Sequence, residues 1–145
     1  MSAAVYADSS LLVSLYLQDT NTPQAIAAVT KAARPLILTS WQQFEFENAC
    51  QLRLFRRESS QADLESANNQ LTEDIAQGMV IATPLPLAAV LTGARQLTAR
   101  HTAHLGCRAF DVYHVAAALH LKATRFLSFD HRQLALARDA GLRTG

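Results

Sequence analysis

Short apolar runs alternate along this chain with longer amphipathic stretches, and that alternation restricts the fold more than any other feature. The runs at residues 5–7, 36–39, 79–82 and 125–129 read as strands. Helical spacing of apolar residues covers 9–17, 21–33, 41–57, 61–77, 87–99, 110–122 and 132–140. Strands that are separated by helices pair side by side in parallel, because a parallel neighbour is reached only through a long crossover. The expectation is an α/β fold with a central, mainly parallel, twisted sheet between helices. A last short run at 142–144 is expected to add an edge strand.

Punctuation supports these boundaries. Pro23 suits a first helical turn, Arg34-Pro35 closes the second helix, and Ser40 reads as an N-cap. Gly78 and Gly141 stand where helices should end in a left-handed residue. In the helix from 41, Phe44, Cys50 or Leu52, and Phe55 trace a buried side. In the helix from 110, Val112, Val115, Ala116 and Leu119 mark one face, which leaves Asp111, His114 and Ala118 beside it.

The length of 145 residues suits one domain spanning 1–145, and 50% apolar with 17% charged residues excludes a disordered chain. A formal charge of +1 argues neither for nor against a polyanionic partner. Cys50 and Cys107 are far apart and part of no Cys/His cluster, so structural zinc is not expected and free thiols of a cytoplasmic protein are. No stretch reads as a signal peptide, and no apolar run approaches the ~20 residues of a membrane span.

Against this background four acids stand out. Asp8 follows the first strand and Asp130 the fourth. Ligands of open parallel sheets bind outside the carboxyl ends of the strands, although an Asp there also serves as an ordinary N-cap. Asp111 begins an alanine-rich helix, where it either answers the helix dipole or points across the top of the sheet. Glu45 and Glu47 are two apart and cannot share a helix face, so at most one looks inward, and pattern does not choose between them. Clustered carboxylates repel one another unless a cation neutralises them, and an all-oxygen donor set selects Mg²⁺ or Mn²⁺. Such an ion lowers the pKa of bound water and clamps a phosphate oxygen.

The segments Tyr6-Ala7-Asp8-Ser9-Ser10-Leu11-Leu12-Val13, Phe44-Glu45-Phe46-Glu47-Asn48-Ala49, Asp111 to Leu119 and Phe126-Leu127-Ser128-Phe129-Asp130 resemble those of PIN-domain ribonucleases, in particular the VapC-type toxins of bacterial toxin–antitoxin pairs. The resemblance covers nearly the whole chain, and the step from Asp111 to Asp130 is among its more specific parts. It implies a three-layer α/β/α sandwich and an Mg²⁺-dependent endoribonuclease, with Mn²⁺ as a possible substitute. It implies catalytic metal ligands at Asp8, Glu45, Asp111 and Asp130, and prefers Glu45 over Glu47 because Asn48-Ala49 then match. Ser10 and Ser128 fall where a small hydroxyl residue orients groups near the metal, and His114 reads as structural. The implied partners are RNA, a cognate antitoxin protein and a second copy of the chain, with no membrane.

Arg53, Arg56 and Arg57 follow the glutamates on the same helix, with Arg53 and Arg57 one turn apart on one face; they suit RNA phosphates or an acidic antitoxin tail, or simply a solvated helix end where the dipole favours cations. A response-regulator receiver lacks its late-strand lysine here, and a haloacid-dehalogenase phosphatase lacks its second acid, since Ser10 occupies that place. The remaining rival is a catalytically silent PIN domain that binds RNA or protein.

Overall fold

The computed structural model describes residues 4–33 and 35–145. Arg34 lies outside them, so the Arg34-Pro35 boundary is not addressed. Four strands, β1 (Val5–Ala7), β2 (Leu36–Thr39), β3 (Val80–Thr83) and β4 (Arg125–Leu127), form an all-parallel sheet in the order β3-β2-β1-β4. Helices α1 (Ser9–Tyr16), α2 (Thr22–Ala32), α3 (Ser40–Phe55) and α4 (Gln61–Ala76) supply the core on one face. Helices α5 (Leu87–Leu97), α7 (Ala109–His120) and α8 (His131–Asp139) supply the core on the other, with a short α6 (Ala103–Leu105) between α5 and α7.

Strand alternation divides the core. Val5, Ala7, Leu36, Leu38 and Leu127 pack toward α1–α4, whereas Tyr6, Ile37 and Phe126 pack toward α5, α7 and α8. Both faces of the sheet are covered, as apolar parallel strands require.

Several boundaries differ from the sequence expectation for local reasons. The cap of α3 is Thr39 rather than Ser40: Thr39 accepts from the Gln42 N–H while the Gln42 side chain accepts from the Thr39 N–H, a reciprocal capping box. The buried side of α3 is Gln42, Phe46 and Cys50, whereas Phe44 and Phe55 are 61% and 84% exposed. Gln42 sets this register. Its Nε2 donates to the Ala7 carbonyl at 2.6 Å, which turns the helix by satisfying a strand end rather than by burying the most apolar residues.

The helix from Leu87, expected to end at 99 or slightly beyond, continues through a π-helical turn, Thr98–Thr102, into α6. In α7, His114 and Ala118 are buried along with Val112, Val115 and Ala116, so this helix is enclosed on more than one side. Strand β4 ends at Leu127, and Asp130 stands three residues beyond it as the cap of α8. The terminal segment makes one parallel bridge, Phe126 to Thr144, instead of a full strand. Gly78 and Gly141 do occupy left-handed positions after α4 and α8. Arg57 and Lys122 hold the same conformation after α3 and α7 without glycine's freedom.

Candidate active site

Helix capping places the first acid. Asp8 follows β1, and its Oδ1 accepts from the Leu11 N–H at 2.9 Å, which starts α1. Its Oδ2 is 2.7 Å from Ser128 Oγ, on the turn after the neighbouring strand. Asp8 is only 6% exposed. Burial pushes its carboxyl above the usual carboxylate range, against the hydrogen bonds from Leu11 and Ser128, and the nearby Asp111 adds to the rise.

Ser128 also lies 2.8 Å from Gln133 Oε1 and accepts from the Asp130 N–H at 2.9 Å. Gln133 Nε2 faces the Asp111 carbonyl at 3.4 Å, which orients the amide. One serine proton cannot serve two acceptors. Asp8 Oδ2 and Gln133 Oε1 therefore compete for the one Ser128 hydroxyl proton.

Glu45 arrives from the opposite direction, one turn beyond the buried Gln42. Its Oε1 accepts from Ser9 Oγ at 2.8 Å and lies 2.7 Å from His114 Nε2. His114 Nδ1 is 2.7 Å from the hydroxyl of Tyr6, a fully buried residue of β1. Burial and neighbouring negative charge, Glu45 foremost, push the Tyr6 phenol well above its usual range, so it remains an O–H donor. A phenol donating to Nδ1 puts the ring proton on Nε2, facing Glu45. Burial works against the Glu45 charge as well, but the His114 and Ser9 contacts outweigh it and hold the carboxyl below its usual range. Glu47 is exposed and, among the described residues, accepts from Gln43 Nε2 alone, at 3.2 Å.

Asp8, Glu45 and Asp111 line one cleft of about 250 Å³, together with Ser9, Ser10, Arg108, Phe110, His114 and Gln133. Asp130 does not line it. Its Oδ1 caps α8 through the Arg132 and Gln133 N–H groups, and it borders an adjoining depression that shares Arg108 and Asp111 with the cleft. Arg108 links the two, with Nε 3.2 Å from Asp111 Oδ2 and a terminal nitrogen 3.7 Å from Asp130 Oδ2. Ser10 lines the cleft, but of these two adjacent serines it is Ser9 that donates to a carboxylate. Arg53 is paired with Asp19, and Arg56 ends α3 beside it in a further depression. Arg57, being left-handed, does not extend the Arg53 helix face.

Among the described residues, no three His, Cys, Asp or Glu side chains stand together closely enough to hold a metal ion as they are arranged. The donor chemistry of the cleft still fits a hard cation. The hydrogen bonds of Glu45 fall on Oε1 and that of Asp111 on Oδ2, which leaves Glu45 Oε2 and Asp111 Oδ1 without a protein partner among the described residues. Both remaining donors are oxygens, and no thiol lines the cleft.

Sequence reasoning missed Tyr6, Ser9, Gln42, Arg108 and Gln133; His114, read as structural, is buried between Tyr6 and Glu45. A Tyr within an apolar strand and two glutamines in first helical turns carry no signal by themselves. Polar residues at positions that the strand and helix pattern assigns to the core were the only available hint.

No family model matches this sequence, and no curated protein matches it. Solved structures do. VapC20 of Mycobacterium tuberculosis, described as a sarcin–ricin loop cleaving toxin, superposes with a TM-score of 0.63 at 18% identity over 95% of both chains. PAE2754 of Pyrobaculum aerophilum gives 0.61 at 15% identity, covering 98% of this chain and 83% of its own. FitAcB of Neisseria gonorrhoeae gives 0.57 at 16% identity, over 97% and 95% respectively. The chain therefore has the PIN-like fold of VapC-type proteins. No helix among the described residues is long and apolar enough to cross a membrane.

Proposed function

We propose that this protein is a metal-dependent endoribonuclease, the toxin of a toxin–antitoxin pair. The observation that carries the reading is the convergence of Asp8, Glu45 and Asp111, from a strand end and two helices, on one cleft beyond the carboxyl edge of a parallel sheet. The shared fold with a toxin that cleaves the sarcin–ricin loop supports it. Asp8, Glu45 and Asp111 would hold Mg²⁺, or Mn²⁺ in its place, with Asp130 contributing from the adjoining depression. When bound, the ion supplies an activated water and charge neutralisation at a phosphodiester.

The chain's own residues prepare that site. The Tyr6 hydroxyl fixes the His114 tautomer, and His114 with Ser9 fixes one Glu45 oxygen so that the other faces the cleft. Ser128 and Gln133 hold Asp8, whose burial and like-charge neighbour are relieved by a cation. Arg108 neutralises Asp111 in the meantime. The whole of 1–145 acts as one catalytic domain in the cytoplasm, as a homodimer held in check by an antitoxin that covers the cleft.

The test is cleavage of RNA by purified protein with Mg²⁺ or Mn²⁺ against EDTA. Cleavage that persists undiminished in EDTA overturns the mechanism. One observation favours a catalytically silent binding module instead, namely that each of the four acids is already engaged by a protein donor. RNA binding without cleavage at any divalent concentration would establish that reading.

A further inference from the structure

The carboxylate cleft is bordered by an aromatic surface that the proposed chemistry does not use. Phe110 lines the cleft next to Asp111, yet is 60% exposed. Its ring centroid is 5.6 Å from that of Trp41, which also lies 6.0 Å from the exposed Phe44 and 5.4 Å from the buried Tyr113. Trp41 is thus braced from below by Tyr113 and flanked by two outward-facing phenylalanines. Apolar residues of this size are ordinarily drawn into the core; α7 instead holds Phe110 at the cleft, and α3 holds Phe44 exposed on the far side of Trp41, along a separate depression.

Charge indicates what this surface meets. The depression on one side of the cleft shares Ser9, Ser10 and Glu45 with it and carries Arg53 and Arg56. The depression on the other side shares Arg108 and Asp111 with it and carries Arg132. The carboxylate cleft thus adjoins a depression carrying Arg53 and Arg56, with Asp19 and Glu58, on one side and a depression carrying Arg108 and Arg132, with Asp130, on the other. Phosphates flanking a central phosphate would meet cations at both ends, and the bases attached to them need an apolar face at the rim.

We propose that Phe110, with Trp41 and Phe44, is a stacking platform for an unpaired RNA base next to the phosphate in the cleft. The inference rests on the ribonuclease reading and adds the side chains that would receive a splayed base beside the phosphate. Base–aromatic stacking tolerates any base, because each has a π face, so the platform selects for strand form rather than sequence. An A-form duplex keeps its bases stacked on one another and leaves the platform empty.

Trp41 is the only tryptophan, so its emission reports on the platform directly. Full-length protein is titrated in EDTA with a single-stranded ribo-oligonucleotide, the same strand with one abasic position scanned along it, and the matching duplex. The single strand should quench Trp41, one abasic position should weaken binding by about tenfold, and the duplex should bind without quenching. Phe110→Leu should weaken single-strand binding by about tenfold and raise KM with little change in kcat. The exposure of Phe110 leaves the core intact, which near-ultraviolet circular dichroism checks. If wild-type protein binds and cleaves RNA but Phe110→Leu and Phe44→Leu do so equally well, the platform is refuted and the ribonuclease reading stands. If Trp41 emission instead follows protein concentration, and the two variants are monomers by light scattering, a second copy covers the surface and the inference fails. A wild-type protein that neither binds nor cleaves RNA overturns both readings.

Discussion

On the strand side of the cleft, Asp8 is buried with a carboxyl pushed up by desolvation and by Asp111, and its supports are a serine and a backbone N–H. On the helix side, Glu45 is half-buried with a carboxyl held low by His114 and Ser9. The same chemical group thus occupies two opposite electrostatic environments within one cleft. The protein itself stabilises the Glu45 charge, whereas the Asp8 charge is left for something else to stabilise. A cation between them would gain most from Asp8 and be aimed by Glu45.

The largest expected effect comes from the strand side. On the proposed mechanism Asp8→Asn should reduce RNA cleavage by about a thousandfold or more, because several kcal/mol of transition-state stabilisation would depend on an ion that Asp8 would help to hold. The fold should persist with an equal or higher melting temperature, since an unfavourable buried charge disappears. The pH dependence sharpens this. A raised carboxyl keeps its proton in the folded chain at pH values where the unfolded chain has lost it. Metal-free wild-type stability should therefore rise as pH falls from neutral toward the ordinary carboxylate range, and Asp8→Asn should flatten that slope. An Asp8→Asn protein that melts well below wild type at neutral pH would show that its charge is already satisfied.

On the helix side the same exchange should act in the opposite sense on stability. Glu45→Gln should lower cleavage by about ten- to a hundredfold and also lower stability by about 1 kcal/mol, as a charge-assisted contact to His114 is lost. The Glu45 contribution is full above the ordinary carboxylate pKa and fades as pH falls through its depressed value. Glu47→Gln should change neither quantity beyond about twofold in rate, given its exposed position. Parallel cleavage assays and melts of the two variants decide the matter. Equal losses would erase the distinction between an aimed glutamate and a solvated one.

The two sides also differed in how far they could be read from sequence. Asp8 and Asp130 follow apolar runs and precede helical ones, so local pattern located both, although β4 ended earlier than its apolar run and left Asp130 as a cap. Asp111 was equally visible at a helix start. The helix side was opaque because its register depends on Gln42 reaching the Ala7 carbonyl, a contact 35 residues apart in sequence. Periodicity alone assigned the burial to Phe44 and Phe55. A polar side chain that satisfies a strand end outweighed two aromatic rings, and a lone helical histidine such as His114 reads as structural in the sequence while its partners, Tyr6 and Glu45, come from elsewhere in the chain. The parallel sheet itself was readable throughout, since it follows from the order of elements.

Tyr6→Phe probes the hidden support of the helix side. Removing the hydroxyl leaves His114 Nδ1 buried without a donor, at a cost of about 1–3 kcal/mol, while the aromatic packing against Phe126 remains. Cleavage should fall by about tenfold as the His114 tautomer is no longer fixed. A thermal melt and a rate measurement on the same sample separate the two effects. Unchanged rate with lowered stability would reduce Tyr6 to a packing residue.

The smallest effect is expected where the two sides are tied together away from the cleft. Asp19, beyond the end of α1, accepts from Arg53 of α3 and from Ser14, and its carboxyl is held below the usual range although burial works against this. The pair is partly solvated, so its Coulomb energy is screened, and Asp19→Asn should cost only about 0.5 kcal/mol. That contribution is present above the ordinary carboxylate pKa, disappears as pH falls through the depressed value, and shrinks with added salt. Melting wild type and variant at low and high salt measures it. Because Arg53 would then be released toward the groove beside the cleft, the same substitution should leave RNA affinity equal or slightly higher. Weaker RNA binding by Asp19→Asn would mean that the ion pair positions Arg53 for phosphate, which would make the tie between the two sides part of the substrate groove.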